Sequence, residues 1–334
     1  LVMPIANVYQ IRLNDVIKQA HAMGKPCRIV ALKPRQKGSS TFSVASLHRR
    51  VHAKPGTRGL IAGGAHFQGA NLFKILKTYA ENDDLDPGSC KVMDMQARYA
   101  NGGEVERLTL ANPNAGRSGT YQAMVITEVA YLSDEGVANA DDVLNGLLKC
   151  VPHEPDTMII EESTAKGASG FFYDRWQNGI TFEEFKAGKN GYVKVFAAWF
   201  EFDDSRMAPA GEGIGGWDDV TASEMAYVDD VRKRLGVELE LDQVAWMRWA
   251  LREECKGDMD RFNQDYPSDP ETAFIKSGAC RFGAEGLAWQ RQRSVECARE
   301  FGALEYRSAA DLIVWTSTTE AQARAVRWEQ PRVG

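Results

Sequence analysis

The chain has 334 residues, a hydrophobic fraction of 44%, a charged fraction of 26% and a formal net charge of −6. These values are typical of a globular protein with one or two domains, and they exclude a fibrous or wholly disordered chain. No apolar run approaches the ~20 residues that a membrane-spanning helix needs, and the first residues lack the pattern of a signal peptide. The six cysteines include no C-x-x-C pair, which is typical of reduced thiols in a cytoplasmic protein.

Apolar runs separated by turn residues predict strands alternating with helices up to about residue 200. Strands are predicted at residues 27–33, 58–63, 91–99, 104–111, 123–127, 157–161 and 192–200. Helices are predicted at 40–51, 66–80 and 141–150, with another beginning at 171. The hydroxyl residues at 39–41 are suited to cap the start of the first of these helices. This order predicts an α/β fold with a mainly parallel central sheet flanked by helices.

The character of the sequence changes after residue 201. Residues 201–220 are rich in Gly, Asp and Pro and are predicted to form a loop, whereas residues 222–262 contain two helical stretches. We therefore expect residues 1–204 to form the α/β core, 205–290 a smaller helical lid subdomain, and 291–334 a C-terminal stub.

Positive charge is concentrated in the first quarter of the chain. Residues 16–80 contain no Asp or Glu but twelve Lys and Arg, so the remaining residues carry a net charge of −18. A block of one sign repels itself unless something anionic neutralises it. Phosphate, from a nucleotide or from a nucleic-acid backbone, is the natural candidate. The alternative is a pair of solvated helix faces that happen to be basic.

The segment after the first strand has the layout of a phosphate-binding loop. The usual pattern is G-x-x-x-x-G-K-[ST], whereas residues 33–40 read KPRQKGSS. The second Gly is present as Gly38, but Lys33 replaces the first and Ser39 stands at the usual lysine position. Ser40 stands where a hydroxyl normally reaches Mg²⁺. Read alone, the segment fits an ordinary turn with surface lysines equally well.

The third and fourth core strands end in residues suited to phosphate chemistry. Glu128 follows the strand at 123–127, at the end where open α/β sheets bind ligands, and a hydrolysing ATPase needs such a carboxylate to orient water. Thr127 replaces the Asp that usually precedes this Glu, and its hydroxyl is a weaker partner for Mg²⁺. Ser163 and Thr164 follow the fourth strand and suit either a γ-phosphate sensor or an ordinary turn. The alternative for Glu128 is a helix cap or a surface residue.

Several segments, taken in order, carry a family resemblance. They are LKPRQKGSST, RGLIAGGAHFQGANLFKIL, MVITEVAYL, EESTAKGASGFFYDRW, and the late stretches FAAWFEFDD and FNQDYPSDPETAFIKSG. Together they resemble the large terminase subunit of tailed bacteriophages, the ATPase motor that packages DNA into empty capsids, over most of the chain. The resemblance implies a P-loop ATPase of the ASCE type that uses ATP and Mg²⁺.

The resemblance also implies roles for individual residues. The nucleotide-binding residues would be Lys33, Gln36, Lys37, Gly38, Ser39, Ser40, Thr41, Ser163 and Thr164. Ser40 and Thr127 would hold Mg²⁺, and Glu128 would position the attacking water. Arg35 would sense the γ-phosphate from within the same chain, and Arg117 falls where the family has an arginine finger from the neighbouring subunit. Such a finger implies a ring as the active form. For adenine, Tyr9 and Gln10 are the only candidates.

The partners implied by the resemblance are double-stranded DNA, the portal protein and the small terminase subunit, in the cytoplasm of the bacterial host. DNA would be gripped through its phosphates without base readout, so binding would be strongly salt-dependent. The basic residues expected to be available for this are Arg49, Arg50, Lys54 and Arg58. The family's nuclease domain normally begins after a segment like residues 326–334, so we expect an ATPase portion without nuclease activity.

Two other functions remain open from the sequence. One is a helicase-like ATPase, which would have no reason to share the segments ESTAKG to FFYDRW and YPSDPETAF. The other is a degenerate nucleotide-binding or assembly module without catalysis, favoured by the absence of a lysine at 39 and of an aspartate at 127.

Overall fold

The computed structural model describes residues 6–64, 66–83, 88–110, 119–132 and 140–274, and the backbone of 302–307 and 312–317. The chain divides into two compact units, Leu1–Gly278 and Ala279–Gly334. The proposed division at residues 204 and 290 stays a prediction.

The first unit contains eight strands of one sheet and ten helices among its described residues. The strands are β1 (Cys27–Leu32), β2 (Arg58–Gly63), β3 (Cys90–Val92), β4 (Gln96–Tyr99), β5 (Glu104–Thr109), β6 (Ala123–Thr127), β7 (Met158–Ser163) and β8 (Val193–Val195). The helices are α1 (Val8–Ala22), α2 (Ser39–Ala53), α3 (His66–Glu81), α4 (Ala140–Leu148), α5 (Phe171–Gln177), α6 (Phe182–Lys186), α7 (Ala222–Leu235), α8 (Leu241–Glu253), α9 (Met259–Asp265) and α10 (Pro270–Phe274).

The strands form a mixed sheet in the order β3-β4-β5-β2-β6-β7-β1-β8. In this order, every pairing from β5 to β8 is parallel, whereas β3 pairs antiparallel with β4, and β4 pairs antiparallel with β5. The predicted α/β fold with a mainly parallel sheet is therefore confirmed. Because β7 lies between β1 and β6, the segments that follow these three strands meet at one edge of the sheet.

Strand alternation divides the core between the two faces of the sheet. Ile29, Val125 and Ile160 belong to the apolar cluster that includes α1, α2 and α3. Their neighbours Val30, Ile126 and Ile159 belong to the cluster that includes α4 and α5. Since successive side chains point to opposite faces, residues two positions after the first group continue on the α2 face. The polar residues at the strand ends, Lys33, Thr127 and Glu162, therefore lie on the face of the sheet that α2 covers.

The boundaries predicted for the central strands agree closely with the structure, whereas other regions differ. The single strand predicted at 91–99 is divided into β3 and β4. Helix α1 was not predicted, although Asn7 and Gln10 form a capping box at its start and apolar residues recur along one face. Strand β8 covers only Val193–Val195 of the predicted 192–200, because the chain turns into a 3₁₀ helix at Trp199–Glu201. The predicted loop at 201–220 contains only further short 3₁₀ turns.

Helices α7, α8 and α9 surround a third apolar cluster, which is rich in aromatic residues. Its centre is Trp199, which is fully buried and stacks on Trp246 with ring centroids 5.1 Å apart. Trp199 Nε1 also donates a hydrogen bond to the Tyr227 hydroxyl at 2.9 Å. The segment after β8 thus fastens the helical part of this unit to the end of the sheet.

We expect Trp199→Ala to lower the free energy of unfolding by about 3–5 kcal/mol, because it leaves a large cavity and removes a hydrogen bond to the Tyr227 hydroxyl. Urea unfolding followed by circular dichroism measures the change. Trp217, which is 43% exposed, provides the control, since Trp217→Ala should change stability by no more than about 0.5 kcal/mol. Equal losses for the two variants would contradict this account of the cluster.

In the second unit, the described residues form an antiparallel pair of strands, β9 (Gly302–Arg307) and β10 (Leu312–Ser317). Across the described part of the chain, none of the helices combines the length and apolar character that crossing a membrane requires.

Candidate functional site

The loop between β1 and α2 has the backbone of an anion-binding turn. Gln36 and Gly38 have φ values of 58° and 71°, in the left-handed region. The φ of Gly38 favours glycine, and a Cβ there would lie 2.7 Å from Gln10 Nε2 and displace the Gln10 amide. The first N–H groups of α2 have no acceptor within the helix and are therefore available to an anion.

Helix α1 holds this loop in place. Gln10 Nε2 donates to the Gly38 carbonyl at 3.1 Å, and Asn7 Nδ2 donates to the Lys37 carbonyl at 2.9 Å. Gln10 thus supports the loop and Tyr9 is fully buried in the core, and contact of either residue with adenine stays a prediction.

Lys33 lies at the centre of the site. Its Nζ is 3.0 Å from Glu128 Oε1, 3.4 Å from Glu162 Oε1, and 3.5 Å from the hydroxyl oxygens of Ser40 and Thr127. Burial by itself lowers the pKa of Lys33, but the charges of Glu162 and Glu128 outweigh it and raise this pKa above its ordinary value. The ammonium group is therefore charged, and it bridges two carboxylates at the entrance to the loop.

Glu162 is the functional residue that sequence reasoning missed. It is fully buried, and its Oε2 accepts hydrogen bonds from Ser39 at 2.7 Å and Ser43 at 3.0 Å. Its Oε1 accepts from Ser40 at 2.5 Å and Thr127 at 3.1 Å. Burial by itself raises the pKa of Glu162, but Lys33 and the serine hydroxyls outweigh it and lower this pKa below its ordinary value. The residue is thus an ionised carboxylate beneath the loop between β1 and α2.

A signal for Glu162 was present in the sequence. It lies two residues after Ile160, so strand alternation places it on the α2 face, whereas Glu161 points to the other face and pairs with Arg175 at 3.1 Å. The contacts also correct the expected capping role of Ser39 and Ser40. The N-cap residue is Gly38, which has no side chain to cap the helix. The Ser39 and Ser40 hydroxyls donate to Glu162 instead.

Glu128 has an unusual backbone conformation at the end of β6. Its φ of 55° and ψ of 40° place a non-glycine residue in the left-handed region. Such conformations cost free energy and persist where the surroundings impose them, often at active sites. Here the conformation directs the carboxylate towards Lys33. The side chain remains partly exposed and faces the pocket described next.

A pocket of about 640 Å³ opens over the loop. Its lining consists of residues 33–41 together with Gln68, Asn71, Leu72 and Ile75 of α3, and Thr127, Glu128, Tyr131 and Thr164. Volumes of this size are typical of small-ligand and cofactor sites. Lys33, Ser40, Thr127 and Glu128 therefore converge on one cavity.

The other predicted site residues lie around this pocket with different contacts. Gln36 and Thr41 line it without a hydrogen bond that defines a role. The Lys37 side chain is directed away from the pocket, because its Nζ bonds to Asp204 and Ser205 and lies over the rings of Phe202 and Trp246. Arg35 is half-exposed, with Nη1 3.5 Å from Asp265 Oδ2. Arg117 lies outside the described residues.

Ser163 and Thr164 join the pocket to the helical part of the unit. Ser163 Oγ accepts from the Ala130 N–H at 3.2 Å, just after Glu128. Thr164 Oγ1 donates to the Tyr131 hydroxyl at 3.2 Å, and Gln264 Nε2 of α9 donates to the same hydroxyl at 2.8 Å. A continuous set of hydrogen bonds thus runs from the end of β7 to α9.

Three of the four basic residues expected to be available for DNA make contacts within the chain, and their role in DNA binding stays a prediction. Arg58 pairs with Glu104 at 2.6 Å and Glu106 at 2.9 Å. Lys54 lies 3.6 Å from the Asp156 carboxylate, and Arg50 donates to the Asp156 carbonyl. Acidic residues from elsewhere in the chain therefore neutralise part of the basic block, and Arg49 is an exposed member of the group.

The oxygen atoms around Lys33 suit a hard divalent cation. The hydroxyls of Ser40 and Thr127 and the carboxylates of Glu128 and Glu162 are the ligand types that Mg²⁺ prefers. A second set of metal-type side chains consists of His48 and His52 of α2 and Asp83, which follows α3. Asp83 Oδ2 is 2.9 Å from His52 Nδ1 and 3.4 Å from His48 Nε2, so these groups already partner one another away from the loop.

No family model and no curated protein matches the chain. Among solved structures, the chain is similar to the large terminase ATPase domain of Thermus phage P74-26, with 17% identity over 72% of this chain and 88% of that one and a TM-score of 0.39. It is similar to the large terminase of bacteriophage HK97, with 12% identity over 80% and 51% and a TM-score of 0.49. It is also similar to the large terminase of a thermophilic bacteriophage in complex with ADP, with 10% identity over 57% and 45% and a TM-score of 0.42.

Proposed function

We propose that this chain is the ATP-hydrolysing motor of a phage DNA-packaging machine, of the large terminase subunit type. The observation that carries the proposal is the convergence of Lys33, Ser40 and Glu128 on one pocket at the carboxyl ends of parallel strands. A cation, a hydroxyl at the start of a helix and a strained carboxylate are the groups that phosphoryl transfer to water requires.

In this proposal, the residues of the pocket divide the work of hydrolysis. The N–H groups at the start of α2 hold the phosphates, and Lys33 neutralises the β- and γ-phosphate oxygens. Ser40 would hold Mg²⁺, which would supply further positive charge against the phosphates. Glu128 orients the attacking water and accepts its proton.

The contacts of Lys33 indicate how ATP binding makes Glu128 available for catalysis. The Lys33 ammonium is 3.0 Å from Glu128, so the carboxylate is engaged in an ion pair. Phosphate oxygens compete for the same ammonium when ATP enters. Glu128 then becomes available to water only in the loaded site.

To exert force on DNA, the motor must couple hydrolysis in the pocket to movement of another part of the protein. Two connections lead from the pocket to the helical part: the hydrogen bonds of Thr164, Tyr131 and Gln264, and the contacts of Lys37 with Asp204 and Trp246. We propose that loss of the γ-phosphate shifts this helical part through them, with Ser163 and Thr164 as the sensing residues.

The partners and the assembly also belong to the proposal. We place the chain in the bacterial host cytoplasm, on double-stranded DNA, with a portal protein and a small terminase subunit. Arg35 would contact the γ-phosphate within the chain, and Arg117 would act on the neighbouring site of a ring.

The direct test is Mg²⁺-dependent release of phosphate from ATP, measured over a range of protein concentrations with and without double-stranded DNA. We expect turnover per subunit to rise with protein concentration and with DNA, because a ring completes the site. DNA affinity should fall steeply with salt whatever the sequence. Absence of ATP binding, or DNA affinity unchanged between low and moderate salt, would contradict the proposal.

A further inference from the structure

The site lacks the usual metal-binding aspartate on β6, but a carboxylate occupies the equivalent level one strand away. Thr127 is the last residue of β6, and its partner in the parallel register is Glu162 of β7. The two side chains touch, since Thr127 Oγ1 donates to Glu162 Oε1 at 3.1 Å. The negative charge missing from position 127 is therefore present beside it.

The two oxygens of Glu162 have different surroundings. Oε2 is held by the hydroxyls of Ser39 and Ser43, both on α2. Oε1 is the oxygen shared by Ser40, Thr127 and Lys33, three residues that line the pocket. One oxygen thus fixes the orientation of the carboxylate, and the other faces the groups expected around the phosphates and the metal.

Two carboxylates share one ammonium group at this position. Lys33 carries one positive charge, whereas Glu128 and Glu162 together carry two negative charges within 3.4 Å of its Nζ. Glu162 is fully buried, and its partners other than Lys33 are neutral hydroxyls, so the group of three charges keeps a net negative charge. The nearby Lys37 does not supply the balance, because its ammonium bonds to Asp204 and Ser205.

We propose that Glu162 is the metal-binding carboxylate of this site, taking the place of the strand-end aspartate that Thr127 replaces. It acts on the Mg²⁺ of the nucleotide together with Ser40, while Ser39 and Ser43 hold it in position. This inference rests on the proposed function, because it assigns a residue to the same nucleotide site.

The experiment compares nucleotide affinity with Mg²⁺ and with EDTA, using ATPγS and isothermal titration calorimetry. In the wild type, Mg²⁺ should tighten binding. We call the ratio of the two affinities the Mg²⁺ gain. In Glu162→Gln, the Mg²⁺ gain should fall about 10–100-fold, while the metal-free affinity stays within about threefold of the wild-type value. The double variant Thr127→Asp/Glu162→Gln moves the carboxylate back to β6 and should recover most of the gain. With Mn²⁺ in place of Mg²⁺, electron paramagnetic resonance should show the altered coordination in the single variant.

The matched control is Glu161→Gln, the neighbouring buried glutamate on the opposite face of the sheet. Burial raises the pKa of Glu161 to about 7, so a neutral amide replaces a group that is already partly protonated near neutral pH. We expect this variant to show the wild-type response to Mg²⁺. A general need for buried glutamate in β7 would make the two variants behave alike and would overturn the inference.

The outcomes separate the inference from the proposed function. If the wild type binds ATPγS with a Mg²⁺ gain that Glu162→Gln retains in full, the inference is wrong and the ATPase proposal stands. If the wild type binds no nucleotide, the ATPase proposal itself fails. Should Glu162→Gln fail to fold by circular dichroism, Glu162→Asp replaces it. This variant keeps the charge, but its shorter side chain moves the carboxylate oxygens away from Ser40 and Thr127. An undiminished Mg²⁺ gain would therefore also overturn the inference.

Discussion

Glu128→Gln is expected to lower ATP turnover by about 10²–10⁴-fold while leaving ATP binding intact. The amide has nearly the shape of the carboxylate, but it is neutral and cannot accept the proton of the attacking water. Binding should not weaken, because the variant removes an ion pair that engages Lys33 at 3.0 Å and competes with phosphate for its ammonium. ATP affinity should therefore be unchanged or higher.

Phosphate release under single-turnover conditions, with saturating ATP and double-stranded DNA, measures the first effect, and calorimetry measures the second. Glu104→Gln is the control, because Glu104 of β5 pairs with Arg58 of β2 and does not line the pocket. That variant should hydrolyse ATP at the wild-type rate. Equal turnover by wild type and Glu128→Gln would remove the catalytic assignment and favour a nucleotide-binding module without hydrolysis.

Lys33→Ala is expected to weaken ATP binding by ~100-fold, whereas Lys37→Ala should change it by less than about threefold. Each lysine belongs to the same loop, and sequence alone assigned both to the nucleotide. Lys33 Nζ lies among the site oxygens and is free to exchange its carboxylate partners for phosphate. A charge-assisted contact of this kind contributes about 3 kcal/mol, which corresponds to roughly a hundredfold in affinity.

Lys37→Ala should instead lower stability, since Lys37 Nζ is buried against Asp204, Ser205 and the Trp246 ring. Titration calorimetry and thermal unfolding of the two variants separate the roles. Because Lys33→Ala leaves Glu128 and Glu162 without their cation, circular dichroism must first show that the variant is folded. The reverse pattern, with Lys37 controlling affinity, would mean that the usual lysine function has moved along the loop.

The helicase-like alternative has no structural observation of its own in its favour. The non-catalytic alternative was based on two substitutions, Ser39 for lysine and Thr127 for aspartate. In the structure, neighbouring residues fill both positions, because Lys33 brings the ammonium from the front of the loop and Glu162 brings a carboxylate from β7. The substitutions therefore look compensated when the residues are placed in space.

The sheet could be predicted from local patterns because each central strand is an apolar run bounded by turn residues. The run at residues 27–32 is buried at all six positions, and the predicted strands at 58–63 and 123–127 agree with the structure residue by residue. Short segments such as β8 and α6 carry too few residues for a periodic signal, and their limits depend on packing against neighbours.

By itself, the amino-acid sequence determined the alternation of strands and helices, the glycine turn before α2 and the polar residues at the strand ends. These features depend on contacts between near neighbours in the chain, so local patterns reveal them. Only the tertiary structure decided which polar residues meet. Glu162 is 122 positions from Ser40, and only the parallel pairing of β7 with both β1 and β6 brings it beneath the loop. The same folding turned Lys37 away from the pocket and paired Arg58 with glutamates of β5, because long-range contacts set the final partners of charged groups.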